Sequence, residues 1–303
     1  MKQPSGAYRD ILATVDFGEM TEAIVSRARD ISSRSGAQLQ LANVLEMMPA
    51  YLYHALPAAE LEAIQQKSSA WSSLRLRELQ QKYPDISVAH TISGSLAQEV
   101  QGLAERIGAD LLVIGAHERR GMAILFRDRS DEVLHRAGRD VLLVKRHAAE
   151  AREPAPPYRG VLAAVCFDGS EVRVLERARR LAELYGANLI LLHVIDHFPV
   201  DRSNRLIAPE DRDPLEFERE DAGHRLQELA HGTGCPGCRR EVVVTTSTAS
   251  RVVADFAEEQ AVDIVVAGSQ GRHALGGLLG STAYGIVHRA PCDVLVVQRP
   301  ARP

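Results

Sequence analysis

Aromatic side chains are scarce in this chain: Phe, Trp and Tyr make up 5% of its 303 residues. The formal net charge is −4, and no basic cluster is interleaved with aromatics. Nucleic-acid binding needs cations for phosphates and rings for bases, so that class of partner is excluded. Long apolar runs are missing too. The longest, around Ala187 to Ile195, falls far short of the ~20 residues that span a bilayer. The opening stretch MKQPSGAYRD has no apolar segment of the kind that marks a secretory leader. A cytoplasmic protein with no membrane partner is therefore expected. Four cysteines in a chain of this size do not make a disulfide framework. Nor can a Ser-His-Asp constellation, an HExxH helix or a pair of catalytic carboxylates be assembled from the spacings.

What the chain does hold is repetition. Ile11-Leu12-Ala13-Thr14-Val15 matches Val161-Leu162-Ala163-Ala164-Val165 at an offset of 150, as do Arg27-Ala28-Arg29 with Arg177-Ala178-Arg179 and Gly36-Ala37 with Gly186-Ala187. Further on, Gly115 falls on Gly268 and Asp140 to Val144 on Asp293 to Val297, at an offset of 153. One net insertion of three residues accounts for the change. Two tandem copies of one fold follow, at residues 1–150 and 156–303, around the Ala-, Glu- and Pro-rich linker His147 to Pro157.

Within a copy, apolar runs alternate with amphipathic ones. The first reads as strand Asp10 to Val15, helix Thr21 to Ser35, strand Leu39 to Leu45 and a long helix from Pro57 to Tyr83. It continues as strand Ser87 to Ile92, helix Leu96 to Ile107, strand Leu111 to Gly115, helix Ser130 to Ala137 and strand Val141 to Lys145. Strands that alternate with helices and are almost wholly apolar imply an α/β fold whose parallel sheet is covered on both faces. Ligands of such sheets sit beyond the carboxyl ends of the strands, where the strand order reverses.

The stretch Asp263 to Val297, DIVVAGSQGRHALGGLLGSTAYGIVHRAPCDVLVV, carries the clearest chemical signal. An apolar strand runs into a loop with Gly268 and Gly271, and the loop ends at Gly280-Ser281-Thr282, where a helix begins. Glycines let the backbone come close to a ligand, and the unpaired N–H groups at a helix start favour an anion. Ser281 and Thr282 add hydroxyls, and Arg272 and His273 follow the second glycine. A phosphate cradle is one reading; a tight strand-to-helix connection without a ligand is the other. It is neither a P-loop nor a GxGxxG fingerprint.

This pattern resembles the universal stress protein family, whose nucleotide-binding members carry G-x2-G-x9-G-S/T here. The chain has Gly268-x2-Gly271-x8-Gly280-Ser281, one residue shorter. The resemblance covers the chain twice, as in tandem two-domain members. It implies five-stranded, doubly wound domains of the adenine nucleotide alpha hydrolase-like kind, paired as an internal pseudo-dimer through Val141 to Lys145 and Val294 to Gln298. The alternative is that these strands are simply covered edges. The resemblance also implies ATP or a related nucleotide as ligand, with Mg carried by the phosphates, and Val194 beside the adenine. A homodimer of tandem chains is a further expected assembly.

Overlaying the copies separates them. Gly271 falls on Glu118, Gly280 on Arg127 and Ser281 on Asp128, so the first copy puts carboxylates where phosphates would lie. Arg119, Arg120, Arg127 and Arg129 are available to pair with Glu118, Asp128 and Asp131. The first copy reads as non-binding. At the first strand the trade is opposite. The family's ribose-binding aspartate matches Asp16, whereas the second copy has Cys166 there and Asp168 two residues on. Asp168 either turns in toward a ribose or caps the next helix with Ser170.

Cys235-Pro236-Gly237-Cys238 stands outside the family pattern. It reads as a plain loop, a labile disulfide or half of a metal set completed by His231, with His224 further off. Cys292 reads as core. Two functions remain. One is a stress-response regulator whose second domain binds nucleotide and whose occupancy alters protein partners. The other is a scaffold or carrier of apolar ligands that uses Val44 to Leu61 and His197 to Phe217. An adenylyl transferase of the wider fold lacks its signature here. Catalysis is expected to amount at most to the slow ATP hydrolysis that the resemblance allows.

Overall fold

Ile11, Leu12 and Ala13 are fully buried, because the strand that holds them, β1 (Asp10–Thr14), lies inside a parallel sheet with helices on its faces. The computed structural model describes residues 7–46, 56–116, 129–145, 154–196, 214–269 and 279–298. Two compact units divide the chain, Met1–Pro157 and Tyr158–Arg299.

In the first unit β1 is followed by α1 (Thr21–Ser35), β2 (Gln38–Leu45), α2 (Ala58–Lys82), β3 (Ile86–Ser93), α3 (Leu96–Ile107), β4 (Leu111–Gly115), α4 (Arg129–Arg136) and β5 (Asp140–Val144). The strands lie in the order β3-β2-β1-β4-β5, with every pairing parallel. The second unit repeats this with β6 (Gly160–Ala164), α5 (Glu171–Tyr185), β7 (Asn188–Asp196), α6 (Pro214–Gly232), β8 (Arg239–Thr245), α7 (Ala249–Glu259), β9 (Ile264–Gly268), α8 (Ser281–Arg289) and β10 (Asp293–Val297). Its order is β8-β7-β6-β9-β10, again parallel. The α/β reading and its duplication are therefore observed. The strand order reverses between β1 and β4, and between β6 and β9.

Helix faces follow the apolar spacing. On α3 the buried residues Ala97, Val100, Leu103 and Ala104 form one stripe at helical period. On α2 only Leu61, Ser72, Leu76 and Leu79 are buried, so most of this long helix faces solvent. Gly36 and Gly186 end α1 and α5 at φ 68° and 65°, a left-handed conformation that costs a side chain with a Cβ about 1 kcal/mol or more.

The N-terminal ends of the strands are tied in the same way in both units. Asp110 accepts backbone N–H bonds from Arg9 and Asp10 at 3.0–3.2 Å, and Asp263 accepts them from Arg159 and Gly160 at 2.6 and 2.8 Å. The buried Tyr8 hydroxyl donates to Asp140 at 3.2 Å, and Tyr158 donates to Asp293 at 2.7 Å. A pair of carboxylates thus holds the start of the first strand in each unit, leaving the opposite, carboxyl ends to form a mouth. Of the linker, residues 154–157 have no helix or strand, and its earlier part lies outside the described residues, as do residues 47–55 and 197–213 of the two stretches expected to contact partners.

Candidate functional site

At the mouth of the first unit the chain leaves β1 through Val15 and the exposed Asp16, whose Oδ1 accepts from the Gly18 N–H at 2.8 Å. Phe17 takes a positive φ of 59°. Its ring meets Trp71 edge-on, with centroids 5.1 Å apart. A cleft of about 70 Å³ opens here, lined by Thr14, Val15, Asp16, Val44, Glu46 and Gly115 among others. It lies at the point where the strand order reverses, yet it is well below the roughly 300 Å³ at which ligand pockets begin. Glu46 adds a second carboxylate beside Asp16.

The second unit builds the equivalent mouth differently. Cys166 stands where Asp16 stands and is exposed. Asp168 is turned toward the helix: its Oδ1 accepts from the Ser170 N–H at 2.9 Å and from the Ser170 hydroxyl at 2.6 Å. Asp168 here forms an Asx-type turn onto Ser170, the N-cap residue of α5. Ser170 then packs on Gly268, where an added Cβ would lie 2.9 Å from the Ser170 Oγ. This fixes how closely the end of β9 approaches α5. Val194 is half-buried on β7, in register with Val243 of β8.

The described ends of the glycine loop meet each other. Ser269 donates its N–H to Val297 O at 2.9 Å, and Gly280 donates to Ser269 O at 2.7 Å. Gly271 and Arg272 lie outside the described residues, as do His273 and the first-copy residues Glu118, Arg119, Arg120, Arg127 and Asp128. Gly280 is the extended N-cap of α8, and Tyr284 N bonds Gly280 O at 2.9 Å. The N–H groups of Ser281, Thr282 and Ala283 therefore have no acceptor within the helix. Ser281 and Thr282 are exposed, and the first turn of α8 contains no acidic residue. The first turn of α4, its counterpart, contains Asp131 and Glu132. One helix start is supplied with its own anions; the other, among the described residues, has none.

Two features escaped the sequence reading. The Ser269 hydroxyl is buried with no hydrogen-bond partner among the described residues, at the first position after Gly268; its place between two loop glycines was the available signal. The other is a matched pair at offset 150. Asn43 Nδ2 donates to Val15 O at 2.8 Å, and His193 Nδ1 lies 2.9 Å from Val165 O. A carbonyl only accepts, so His193 carries its proton on Nδ1 in this contact. Both side chains brace the carbonyl that ends the first strand. Each unit also sets an arginine over the following phenylalanine: Arg75 lies 6.0 Å from the Phe17 ring and Arg225 lies 3.9 Å from the Phe167 ring.

Away from the mouth, Cys235 and Cys238 sit in the turn between α6 and β8 with free thiols. His231 is exposed, its Nδ1 2.8 Å from Gln227 O. No group of three or more His, Cys, Asp or Glu able to hold a metal occurs among the described residues. Among them, too, no helix is long and apolar enough to cross a membrane.

A family model described as the universal stress protein family matches residues 7–145 and again 157–298. Universal stress protein A homolog 1 of Coxiella burnetii is 33% identical over 140 residues, covering 46% of this chain and 96% of that protein. Homolog 2 of the same organism is 30% identical over 142 residues, covering 46% and 95%. Among solved structures, a universal stress protein from Archaeoglobus fulgidus superposes with a TM-score of 0.70 at 19% identity, covering 97% of each chain. A putative universal stress protein from Pseudomonas aeruginosa gives 0.64 at 20% identity, covering 96% of this chain and 94% of that one.

Proposed function

This chain belongs to the universal stress protein family, and from that premise we propose that it is a regulatory protein whose second domain binds ATP or a related nucleotide. The observation that carries the reading is the difference between the two helix starts. Helix α8 opens with the exposed hydroxyls of Ser281 and Thr282 and no carboxylate, whereas α4 opens with Asp131 and Glu132. Free N–H groups and a helix dipole attract phosphate only where no side-chain anion already occupies them. Gly268 and Gly280 bring the backbone in, and Gly271 and Arg272 complete the loop in sequence. Val194 stands on β7, separated from β9 by β6.

With Asp168 engaged by Ser170, the ribose side of this site is weaker than the phosphate side. Such a site suits a sensor that fills and empties with nucleotide level better than a catalyst that must hold a reactive geometry. Occupancy would alter a surface read by protein partners. Mg would arrive with the phosphates.

The test is calorimetric titration of the purified protein with ATP, ADP and AMP, together with mass spectrometry of what denatured protein releases. Ser281→Asp, which copies the first domain's Asp128, and Asp16→Asn in the first domain are run beside the wild type. Binding that Ser281→Asp abolishes and Asp16→Asn leaves intact supports the assignment. Binding lost only in Asp16→Asn places the ligand in the first domain. No binding and no released nucleotide overturns the reading.

A further inference from the structure

The turn Cys235-Pro236-Gly237-Cys238 takes no part in the nucleotide reading, yet its two sulfurs are arranged. The Cys238 N–H bonds Cys235 O at 3.1 Å, closing a β-turn with Pro at its second position, where a fixed φ suits the turn. Such a turn brings the first and fourth Cα atoms within about 7 Å, and a disulfide spans Cα atoms about 4.4–6.8 Å apart. The turn thus meets the backbone requirement without rearrangement. The side chains meet it as well: the Cys238 S–H points at the Cys235 Sγ, 3.4 Å away. Both cysteines are half-buried, while Pro236 and Gly237 between them are exposed, so the pair lies at the surface and within reach of a small reagent.

The two thiols are not equivalent. Cys235 Sγ faces the Cys238 S–H, a group that can donate to a thiolate, while the Thr233 hydroxyl 3.8 Å away already donates to Leu229 O at 2.7 Å. Cys238 sits against Cys235 as the donor. Its pKa is pushed up to about 11, first by burial, then by its hydrogen bond to Cys235 and the charge there, with Arg240 pulling the other way. The Arg240 guanidinium is anchored over the turn by bonds to Pro236 O at 2.9 Å and Cys238 O at 3.0 Å. Attack by a thiol requires its thiolate, and the second thiol can wait protonated until the first has reacted.

We propose that Cys235 and Cys238 form a thiol–disulfide exchange site for small organic disulfides, with Cys235 attacking and Cys238 resolving. The Cys235 thiolate attacks one sulfur of the small disulfide; a new S–S bond forms, the reagent's own S–S bond breaks, and one small thiolate leaves. Cys238 then gives up its proton to that thiolate or to solvent and attacks Cys235 Sγ, expelling the second small thiolate. The protein loses two electrons and two protons, the reagent gains both, and a Cys235–Cys238 bridge remains. The bridge staples the exit of α6 to the start of β8, the outer strand of its sheet.

Oxidised glutathione is the probe, mixed with reduced protein and quenched by alkylation, with peptides mapped by mass spectrometry. Exposed Cys166 serves as an internal comparator, since a thiol whose turn holds no second cysteine stops at a mixed disulfide. The wild type is expected to yield the Cys235–Cys238 bridge while glutathione stays on Cys166. Cys238→Ser is expected to arrest with glutathione on Cys235, at least about tenfold more populated than in the wild type, because the resolving step is intramolecular. Cys235→Ser is expected to leave Cys238 largely unmodified. Free thiols at both positions under conditions that fully modify Cys166 overturn the proposal, and so does accumulation on Cys238 rather than Cys235. Should either serine variant fail to fold, the transient Cys235 adduct in quenched wild type decides: its appearance before the bridge supports the order, and its absence overturns it.

Discussion

The two domains agree at one end of their strands and part at the other. At the N-terminal ends, Tyr8 with Asp140 and Tyr158 with Asp293 are the same contact, and Asp110 and Asp263 hold the same two backbone N–H groups. At the carboxyl ends Asp16 corresponds to Cys166, and the acidic first turn of α4 corresponds to the hydroxyl-bearing first turn of α8. The first end is tied by the same contacts in both copies, whereas the residues of the second end differ between them. Asn43 and His193 mark the border: different side chains brace the same carbonyl.

The sharpest break in that comparison is to make the second mouth resemble the first. Ser281→Asp places a carboxylate at the start of α8. A like charge about 4 Å from a phosphate costs about 4 kcal/mol at an effective dielectric of ~20. Nucleotide affinity should fall on the order of a hundredfold or more, read by calorimetry, while the helix itself, gaining an anion at its N-terminus, should melt no lower. The converse change should help. Cys166→Asp gives the second mouth the carboxylate that the first has. A charge-assisted hydrogen bond contributes about 1.5–3 kcal/mol, so affinity should rise about tenfold for ribonucleotides and less for their 2′-deoxy forms. An equal gain for both would show that the introduced carboxylate acts on the site's charge and not on the ribose hydroxyls.

Much of this was legible in the residues, for definable reasons. Short apolar runs such as Leu111 to Ile114, alternating with amphipathic segments, fit strands buried on both faces, and an offset that shifts from 150 to 153 declares the duplication without any coordinates. The glycine loop's position was legible because Gly268 and Gly280 break a strand and start a helix. Asp168 was not settled by sequence, because a carboxylate two residues before a serine can either cap or swing free; in the structure it bonds Ser170 in the turn before α5. The facing sulfurs of Cys235 and Cys238 were not legible either. A CxxC spacing fixes the chain between two thiols and leaves open whether the side chains converge, which depends on the turn.

A smaller effect should fall on both domains alike. Asp110→Ala and Asp263→Ala each remove the acceptor of two backbone N–H groups, and such a loss costs about 1–3 kcal/mol. Chemical denaturation followed for each variant should show similar losses with nucleotide affinity unchanged. A loss confined to one of them would mean that the two closed ends are not equivalent after all.

The smallest expected difference between the domains is a pH effect at an outer strand. His90 on β3 shares a hydrogen bond of 2.7 Å with Gln40 Oε1, and burial, helped by nearby Arg106, lowers its pKa from the ordinary 6.5. The neutral ring is therefore favoured in the fold. Above the unfolded value both states are neutral and His90 adds no pH dependence. As pH falls below about 6.5, the unfolded chain binds the proton first, so stability declines until the folded ring also titrates. In the sheet register His90 pairs with Ala42, and the second domain has Glu241 beside Leu192 at the matching level, with no histidine there. His90→Gln keeps a donor for Gln40 and removes the titration. Denaturation of wild type and variant at pH 7.5 and pH 5.5 (values chosen about one pH unit either side of the ordinary histidine pKa) should show the acid loss shrinking in the variant. An unchanged loss would move the acid sensitivity to another group and leave β3 and β8 alike in this respect.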